Sequence, residues 1–386
     1  MTTAPAAAPT TTGDALVQLQ HVVKEFPVKT GSLFARKRER VHAVADVSLD
    51  VRRRETLALV GESGCGKSTL ARCLMRLHDL TSGRVVFDGH DLSTLSQSEL
   101  RPFRRRMQMV FQDPYGSLNP RRRVGSIIGD PFEIHGLAKG DDRVRRVQDL
   151  MELVGLNPEH YNRYPGDFSG GQRQRVGIAR AIALRPDFIV CDEPVSALDV
   201  SIRAQILNLL DSLQDELGLT YLFISHDLSV VRHVSDRVAV MYLGTVVELG
   251  PVRDLYEHAR HPYTRALLSA MPHPDPDRAE ARQEIVLAGD PPSPMDPPAG
   301  CRFHPRCPRS QARCAADVPE LASFAGDSAE HVAACHFPVA DGEALAVAGA
   351  SPPLPSALVI EHTEPGEPRR SASSIERTKS GREEAS

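Results

Sequence analysis

The sequence contains no apolar run approaching the ~18 residues that a membrane-spanning helix needs. Its first residues, MTTAPAAAPTTTGD, lack the basic start and long apolar stretch of a secretory signal. Basic excess is missing too: 46 Lys and Arg stand against 50 Asp and Glu, a net charge of −4, which argues against a protein that coats nucleic acid. No internal repeat is visible, so a solenoid or propeller is not indicated. The seven cysteines form no paired C-x2-C knuckle. Together these absences predict a cytosolic chain that meets a membrane only through a partner. What is present, 386 residues with 41% hydrophobic and 25% charged, is ordinary for a globular protein of two or three domains.

Residues 1–14, rich in Ala, Thr and Pro, are expected to be disordered. Apolar periodicity is dense over 15–270. A proline- and charge-rich linker covers 272–300 and leads into a cysteine-bearing unit, so that 271–340 forms an extension, and the tail 341–386 again reads as disordered. TLALV (56–60), DFIVC (187–191) and TYLFIS (220–225) read as buried strands, each followed by a loop and a helix. IRAQILNLLDSLQDEL places Ile202, Ile206, Leu209, Leu213 and Leu217 on one helical face. Apolar strands with crossover helices predict an α/β fold with a largely parallel sheet, whose ligands gather at the carboxyl ends of the strands. Cys73 and Cys191, like Cys65, read as small reduced core residues.

GESGCGKST (61–69) follows the strand TLALV and opens a helix, which is the context that gives the pattern G-x-x-x-x-G-K-S/T its meaning. Gly61, Glu62, Ser63, Gly64, Cys65, Gly66, Lys67, Ser68 and Thr69 are therefore candidate nucleotide contacts. The glycines let successive N–H groups face a phosphate at a helix N-terminus. Lys67 would reach the β- and γ-phosphates and the Ser68 hydroxyl would hold Mg²⁺. DFIVCDEP (187–194) delivers Asp192 to the polar end of its strand, where it would hold the same ion, and places Glu193 as general base for an attacking water. TYLFISHD puts His226 past a third strand, within reach of a γ-phosphate.

FSGGQ (168–172) sets a glycine pair at the mouth of a helix, where glycine costs about 1 kcal/mol against alanine. Ser169, Gly170, Gly171 and Gln172 read as a second phosphate-facing surface. Lying about 100 residues beyond the first loop, they would meet the ATP of another subunit in a head-to-tail pair.

The ordered set GESGCGKST, VFQDP, FSGGQ, IVCDEP, SALD and SHD resembles the nucleotide-binding subunits of ABC transporters over roughly residues 15–270. The resemblance implies an ABC-type P-loop NTPase domain with a helical subdomain and a small cysteine-containing C-terminal extension. It assigns Gln112 to the loop that couples nucleotide, with its Mg²⁺, to the membrane subunits. Asp199 of SALD is assigned to communication across the dimer, and Phe26 to stacking on adenine. Two departures are visible: RRRETLALV lacks the glycine usual before its glutamate, and Phe168 replaces the commoner leucine. VFQDPYGSLNPRRRVG, HPYTRALLSAMP and GCRFHPRCP look like the oligopeptide/dipeptide importer branch, and the insertion FPVKTGSLFARKRERVHAV looks like its F-type ATPase subunit, with RKRER read as a solvated loop. Membership implies a companion D-type ATPase, two transmembrane permeases, an extracytoplasmic binding protein and a place at the cytoplasmic face of the inner membrane. Nickel chelates or glutathione are the alternative cargoes. A soluble non-transport ABC ATPase fits less well, because the chain has one cassette and no long heptad array.

Cys301, Cys307, Cys314 and Cys335 are separated by five, six and twenty residues. So short a segment with few large apolar residues is expected to need a staple, and disulfides are rare in the cytosol. Zinc would use His304, His331 or His336 in place of one thiolate. Four thiolates at irregular spacing also suit an iron–sulfur cluster, and the resemblance favours a four-iron (4Fe-4S) cluster with a structural role.

Overall fold

TLALV becomes β3 (Thr56–Val60) with all five residues buried, because the sheet around it is covered on both faces. The computed structural model describes residues 14–30, 37–113, 115–271, 285–343 and 345. The disorder expected for 1–14 and 341–386 falls almost wholly outside the described residues, as does most of the first half of the linker. At the start of that tail Asp341 and Glu343 are described, and they pair with Arg260 and Arg309. Beside β3 lie β8 (Thr220–Ile224) and β9 (Arg237–Tyr242), both parallel to it. The sheet continues from β8 through β7 (Phe188–Asp192) to β6 (Met107–Val110), again in parallel. On the other side β9 turns into antiparallel β10 (Thr245–Pro251), and two residues from the C-terminal region, β11 (Val332–Ala333), close that edge. A second sheet of four strands, in the order β2 (Lys37–Arg52), β1 (Ala15–Thr30), β4 (Ser82–Phe87) and β5 (His90–Asp91), is antiparallel.

Strand alternation divides the core. Leu57 and Leu59 face one layer with Leu70 and Leu74 of α1 (Lys67–Leu74) and with Val47, Val85 and Phe87 of the second sheet. Ala58 and Val60 face the other, with Val238, Val240, Tyr242, Tyr263 and Phe303. A helical subdomain of α3 (Val124–Ile134), α4 (Gly140–Leu153) and α5 (Gly170–Ile182) packs Ile128, Val147, Met151 and Ile178 against the β7 and β8 residues Ile189, Cys191 and Phe223. The chain also forms α2 (Arg101–Arg106), α7 (Leu228–Val234) and α8 (Val252–His258). In α6 (Val200–Leu217) the buried residues are Ile206, Leu210 and Leu213. The expected face is thus rotated toward Leu210, while Ile202, Leu209 and Leu217 are only partly covered. Cys65, Cys73 and Cys191 are buried free thiols. The RKRER stretch is not a loop over its described part. Lys37–Arg40 extend β2, where Arg40 Nη1 donates to Glu25 Oε2 at 2.6 Å.

The cysteine-bearing segment has little core of its own, and it borrows one. Phe303, 1% exposed, sits among Tyr242, Tyr263 and His261 with ring centroids 5.2, 5.4 and 5.5 Å away. The fully buried carboxylate of Glu248 in β10 accepts from the backbone N–H groups of Arg260 and His261 and lies 2.8 Å from His331 Nε2. The Arg260 guanidinium pairs with Asp327 and Asp341. No helix among the described residues is long and apolar enough to cross a membrane.

Candidate active site

The phosphate loop spans Gly61 to Gly66, between β3 and α1. Gly66 caps the helix at φ 109°, and a Cβ there would stand 2.2 Å from the Ala43 carbonyl oxygen, so only glycine fits. Lys67, 6% exposed, donates from Nζ to the carbonyls of Gly61 and Glu62 at 2.8 and 2.9 Å. Its charge is thereby held over the loop. Ser68 Oγ donates to Asp192 Oδ1 at 2.9 Å, which brings together two of the expected Mg²⁺ ligands from residues 124 apart. Burial is the main cause that raises the Asp192 carboxyl above its ordinary value, with the Ser68 hydrogen bond acting against it.

The third expected ligand, Gln112, has a different partner: its Nε2 donates to Glu193 Oε2 at 2.8 Å. The other Glu193 oxygen is 3.3 Å from His226 Nδ1. Gln112, Glu193 and His226, from three separate motifs, thus meet in one polar group. Glu193 has φ 47°, a left-handed conformation that is uncommon for a residue with a side chain. Its N–H is fixed to the Ile224 carbonyl at 3.0 Å. A backbone outlier held by neighbouring strands is a frequent mark of a functional position.

Ser63 to Thr69 line a cleft of about 350 Å³ together with Phe26, Gln112 and Glu193. Also present are Val41, His42, Ala43, Leu243, Gly244 and Pro294, none of which was singled out in the sequence. Leu243 and Gly244, both at positive φ, form the two-residue turn between β9 and β10. The Pro294 carbonyl accepts from His42 N–H at 2.9 Å. Phe26 meets His78 edge-on at 5.5 Å, with Lys24 Nζ 4.7 Å from its ring centre. A larger cleft of about 1160 Å³ carries Arg101, Arg105, Arg146 and Arg185, but no phosphate-loop residue lines it.

Ser169, Gly170, Gly171, Gln172 and Asp199 do not line the nucleotide cleft. Ser169 and Gln172 form a capping box on α5, the Ser169 Oγ accepting from Gln172 N–H and the Gln172 Oε1 from Ser169 N–H. A Cβ on Gly171 would lie 2.3 Å from Ile202 Cγ2. Close packing of α5 on α6 is thus one reason for the second glycine of the pair. Ser169 and Gln172 stay exposed, as does Asp199 at the N-cap of α6, where its side chain makes no capping bond.

Cys301, Cys307, Cys314 and Cys335 line one small cavity with His304, His336, His261 and Phe303. His331 is not among them; it belongs to the Glu248 network, which withdraws it as a zinc ligand. Burial, helped by the neighbouring thiols, pushes the Cys307 thiol up to about 11 and that of Cys335 up to about 12, and raises Cys301. No carboxylate shares the cavity. Among the described residues no group of three or more His, Cys, Asp or Glu side chains stands in metal-holding geometry.

Family models match the chain in two places: "ABC transporter" over residues 44–196 and "Oligopeptide/dipeptide transporter, C-terminal region" over 247–314. A probable peptide ABC transporter ATP-binding protein, y4tS of Sinorhizobium fredii, is 54% identical over 323 residues, 84% of this chain and 90% of that one. The oligopeptide transport ATP-binding protein AppF of Bacillus subtilis is 51% identical over 325 residues, 84% of this chain and 98% of that one. The chain belongs to the ABC transporter ATP-binding subunits. Among solved structures, the dimeric post-hydrolysis state of the ATP-binding cassette MJ0796, bound to ADP and Pi, superposes with TM-score 0.55 at 31% identity, covering 61% of this chain and 99% of that one. CbiO1 from Clostridium perfringens, part of the transporter complex cbiONQ, gives 0.54 at 26% identity, covering 64% and 92%. This ABC subunit is an ATPase, with a P-loop NTPase fold of mixed α/β content.

Proposed function

We propose that this ABC ATPase energises peptide import across the cytoplasmic membrane, as the F-type partner in a head-to-tail pair with a D-type ATPase. The pair would work on two permeases fed by an extracytoplasmic binding protein. The observation that carries this reading is the union, in one chain, of the phosphate loop and Glu193 group with a C-terminal region of the oligopeptide/dipeptide kind. Residues 15–270 would form the ATPase domain and 271–340 the extension. Phe26 would meet adenine, Ser63 to Lys67 and Thr69 the phosphates, and Ser68 with Asp192 the Mg²⁺, which neutralises charge between the phosphates when bound. Glu193 would accept the proton of the attacking water while His226 faces the γ-phosphate and Gln112 relays the state of the site to the permeases. The exposed Ser169 and Gln172, with half-buried Gly170, would touch the partner subunit's nucleotide, and Asp199 its phosphate-loop side.

Reconstituted with permeases, companion ATPase and binding protein, the subunit should drive ATP-dependent uptake of labelled peptide into vesicles. Alone, its turnover per subunit should rise steeply with protein concentration, because a transient interface is weak until the membrane subunits raise the effective concentration. Constant turnover across a wide dilution series would rule out the paired site.

What supports a metal cofactor is that four thiols line one small cavity. Thiolates of Cys301, Cys307 and Cys335 are disfavoured there by burial and by the neighbouring thiols, and a bound metal would supply the positive charge that stabilises them. We assign that place to a four-iron cluster held by Cys301, Cys307, Cys314 and Cys335, with a structural role. Anaerobically purified protein should be brown, and its broad visible absorption should vanish when Cys307 and Cys314 are replaced by Ser. Colourless protein with one equivalent of zinc would decide for zinc, and folded metal-free protein would defeat both.

A further inference from the structure

The second residue of the phosphate loop is held by the segment that carries the cysteines. Glu62 is tethered at three points. Its N–H donates to the Tyr263 hydroxyl at 2.9 Å, and its carbonyl accepts from Lys67 Nζ at 2.9 Å. Both oxygens of its carboxylate accept from Arg306 Nη1, at 3.1 and 3.0 Å. The first two partners belong to the ATPase core. The third lies 244 residues further on, in the short turn His304–Arg306 between Cys301 and Cys307.

Arg306 has little freedom to do anything else. Its side chain is 9% exposed, against 27% for Glu62. The guanidinium stands 6.0 Å from the Tyr242 ring centre and 3.5 Å from its hydroxyl. Withdrawing Glu62 would leave a mostly buried charge without its partner. The turn is fixed on one side by Phe303 in its aromatic box and by Arg302, whose Nη1 donates at 2.5 Å to the Leu243 carbonyl in the turn that lines the nucleotide cleft. On the other side it continues into Cys307, which lines the thiol cavity. On the ATP-site reading, the Glu62 carboxylate adds negative charge to a loop that would hold a polyanion, and Arg306 compensates it.

We propose that Arg306 is a positioning residue for the phosphate loop: it anchors and neutralises Glu62, so that the cysteine-bearing segment sets the affinity of the nucleotide site. The proposal rests on reading the loop as the ATP site and is independent of the metal assigned to the thiols.

The test uses the full chain and MgATP, with affinity measured by calorimetry and KM and kcat by phosphate release. In Arg306→Gln the affinity should fall about tenfold, the scale of a hydrogen bond to a charged group. KM should rise in step, with kcat changing less than about threefold on the same scale. Arg306→Lys should recover part of the loss. Adding Glu62→Gln to Arg306→Gln should recover most of it, because the uncompensated charge is then gone; a merely structural role for Arg306 predicts no such rescue. Glu62→Asp draws the carboxylate back by one methylene without touching the cysteine segment, and should weaken MgATP binding in the same direction even if Arg306→Gln fails to fold. Affinity within about twofold of the parent in both Arg306→Gln and Glu62→Asp, or a loss that Glu62→Gln does not relieve, overturns the proposal. A parent chain that does not bind MgATP at all would instead remove the ATP-site reading beneath it.

Discussion

Replacing Glu193 with Gln is expected to lower ATP turnover by ~10²–10⁴-fold, the usual contribution of a general base, while MgATP remains bound. The geometry supports so large an effect from one atom. The carboxylate is placed by a backbone held at φ 47° and by the 2.8 Å bond from Gln112 Nε2, with His226 Nδ1 3.3 Å from its other oxygen. Glutamine keeps the length and planarity of the side chain and removes only the ability to take a proton. The neighbouring Asp192 and Ser68, joined at 2.9 Å, are untouched, so the ion and the nucleotide should still bind. Because hydrolysis is what would release the pair, the variant should also prolong the closed ATP-bound dimer. Single-turnover hydrolysis beside filter-bound nucleotide measures both quantities. Near-normal turnover in Glu193→Gln would take this residue out of the base role.

What the sequence could reveal about this site follows the range of the interactions. The phosphate loop, Asp192, Glu193 and His226 each sit at the end of a short apolar strand, so their placement is set within a few residues. The parallel core was legible for the same reason. In α6 periodicity does not distinguish Leu209 from Leu210, because both are apolar and only the tertiary layer decides between them. Charge alone suggests a solvated loop at RKRER, whereas Arg40 finds its partner Glu25 across the β1–β2 pair. The glycines of FSGGQ carry two demands at once: the expected approach of a nucleotide, and the close contact of Gly171 with Ile202. Periodicity shows neither. His42, Leu243, Pro294 and Arg306 reach the site from four different places in the chain, and no local pattern marks them. The turn at Leu243–Gly244 is the partial exception, since a glycine between two strand-like runs signals a hairpin.

Acid should loosen this protein in a window set by His261. Its Nδ1 accepts from Tyr263 N–H at 3.1 Å as the N-cap of α9 (Pro262–Ser269), so the ring proton sits on Nε2, which has no partner among the described residues. The ring is 1% exposed, and burial pushes its value down to about 4. In the unfolded chain a histidine titrates near 6.5. Above about 6.5 neither state is protonated and the full stability is present. Between about 6.5 and 4 the unfolded chain takes up a proton that the folded one refuses, so stability falls as the pH falls, by a total on the order of 3 kcal/mol. Glu55 and Asp192, whose carboxyls burial raises, work in the opposite sense, so the bulk acid curve alone does not isolate the histidine. His261→Asn does: asparagine can still cap the helix but does not titrate. Denaturant midpoints at pH 7.5, 6 and 5 should fall steadily for the parent and markedly less for the variant. Since His261 also packs on Phe303, 5.5 Å away, the acid-induced loss should reach the cysteine segment and, through Arg302 and Arg306, the floor of the nucleotide cleft. Equal slopes for the two proteins would exclude His261 as the group responsible.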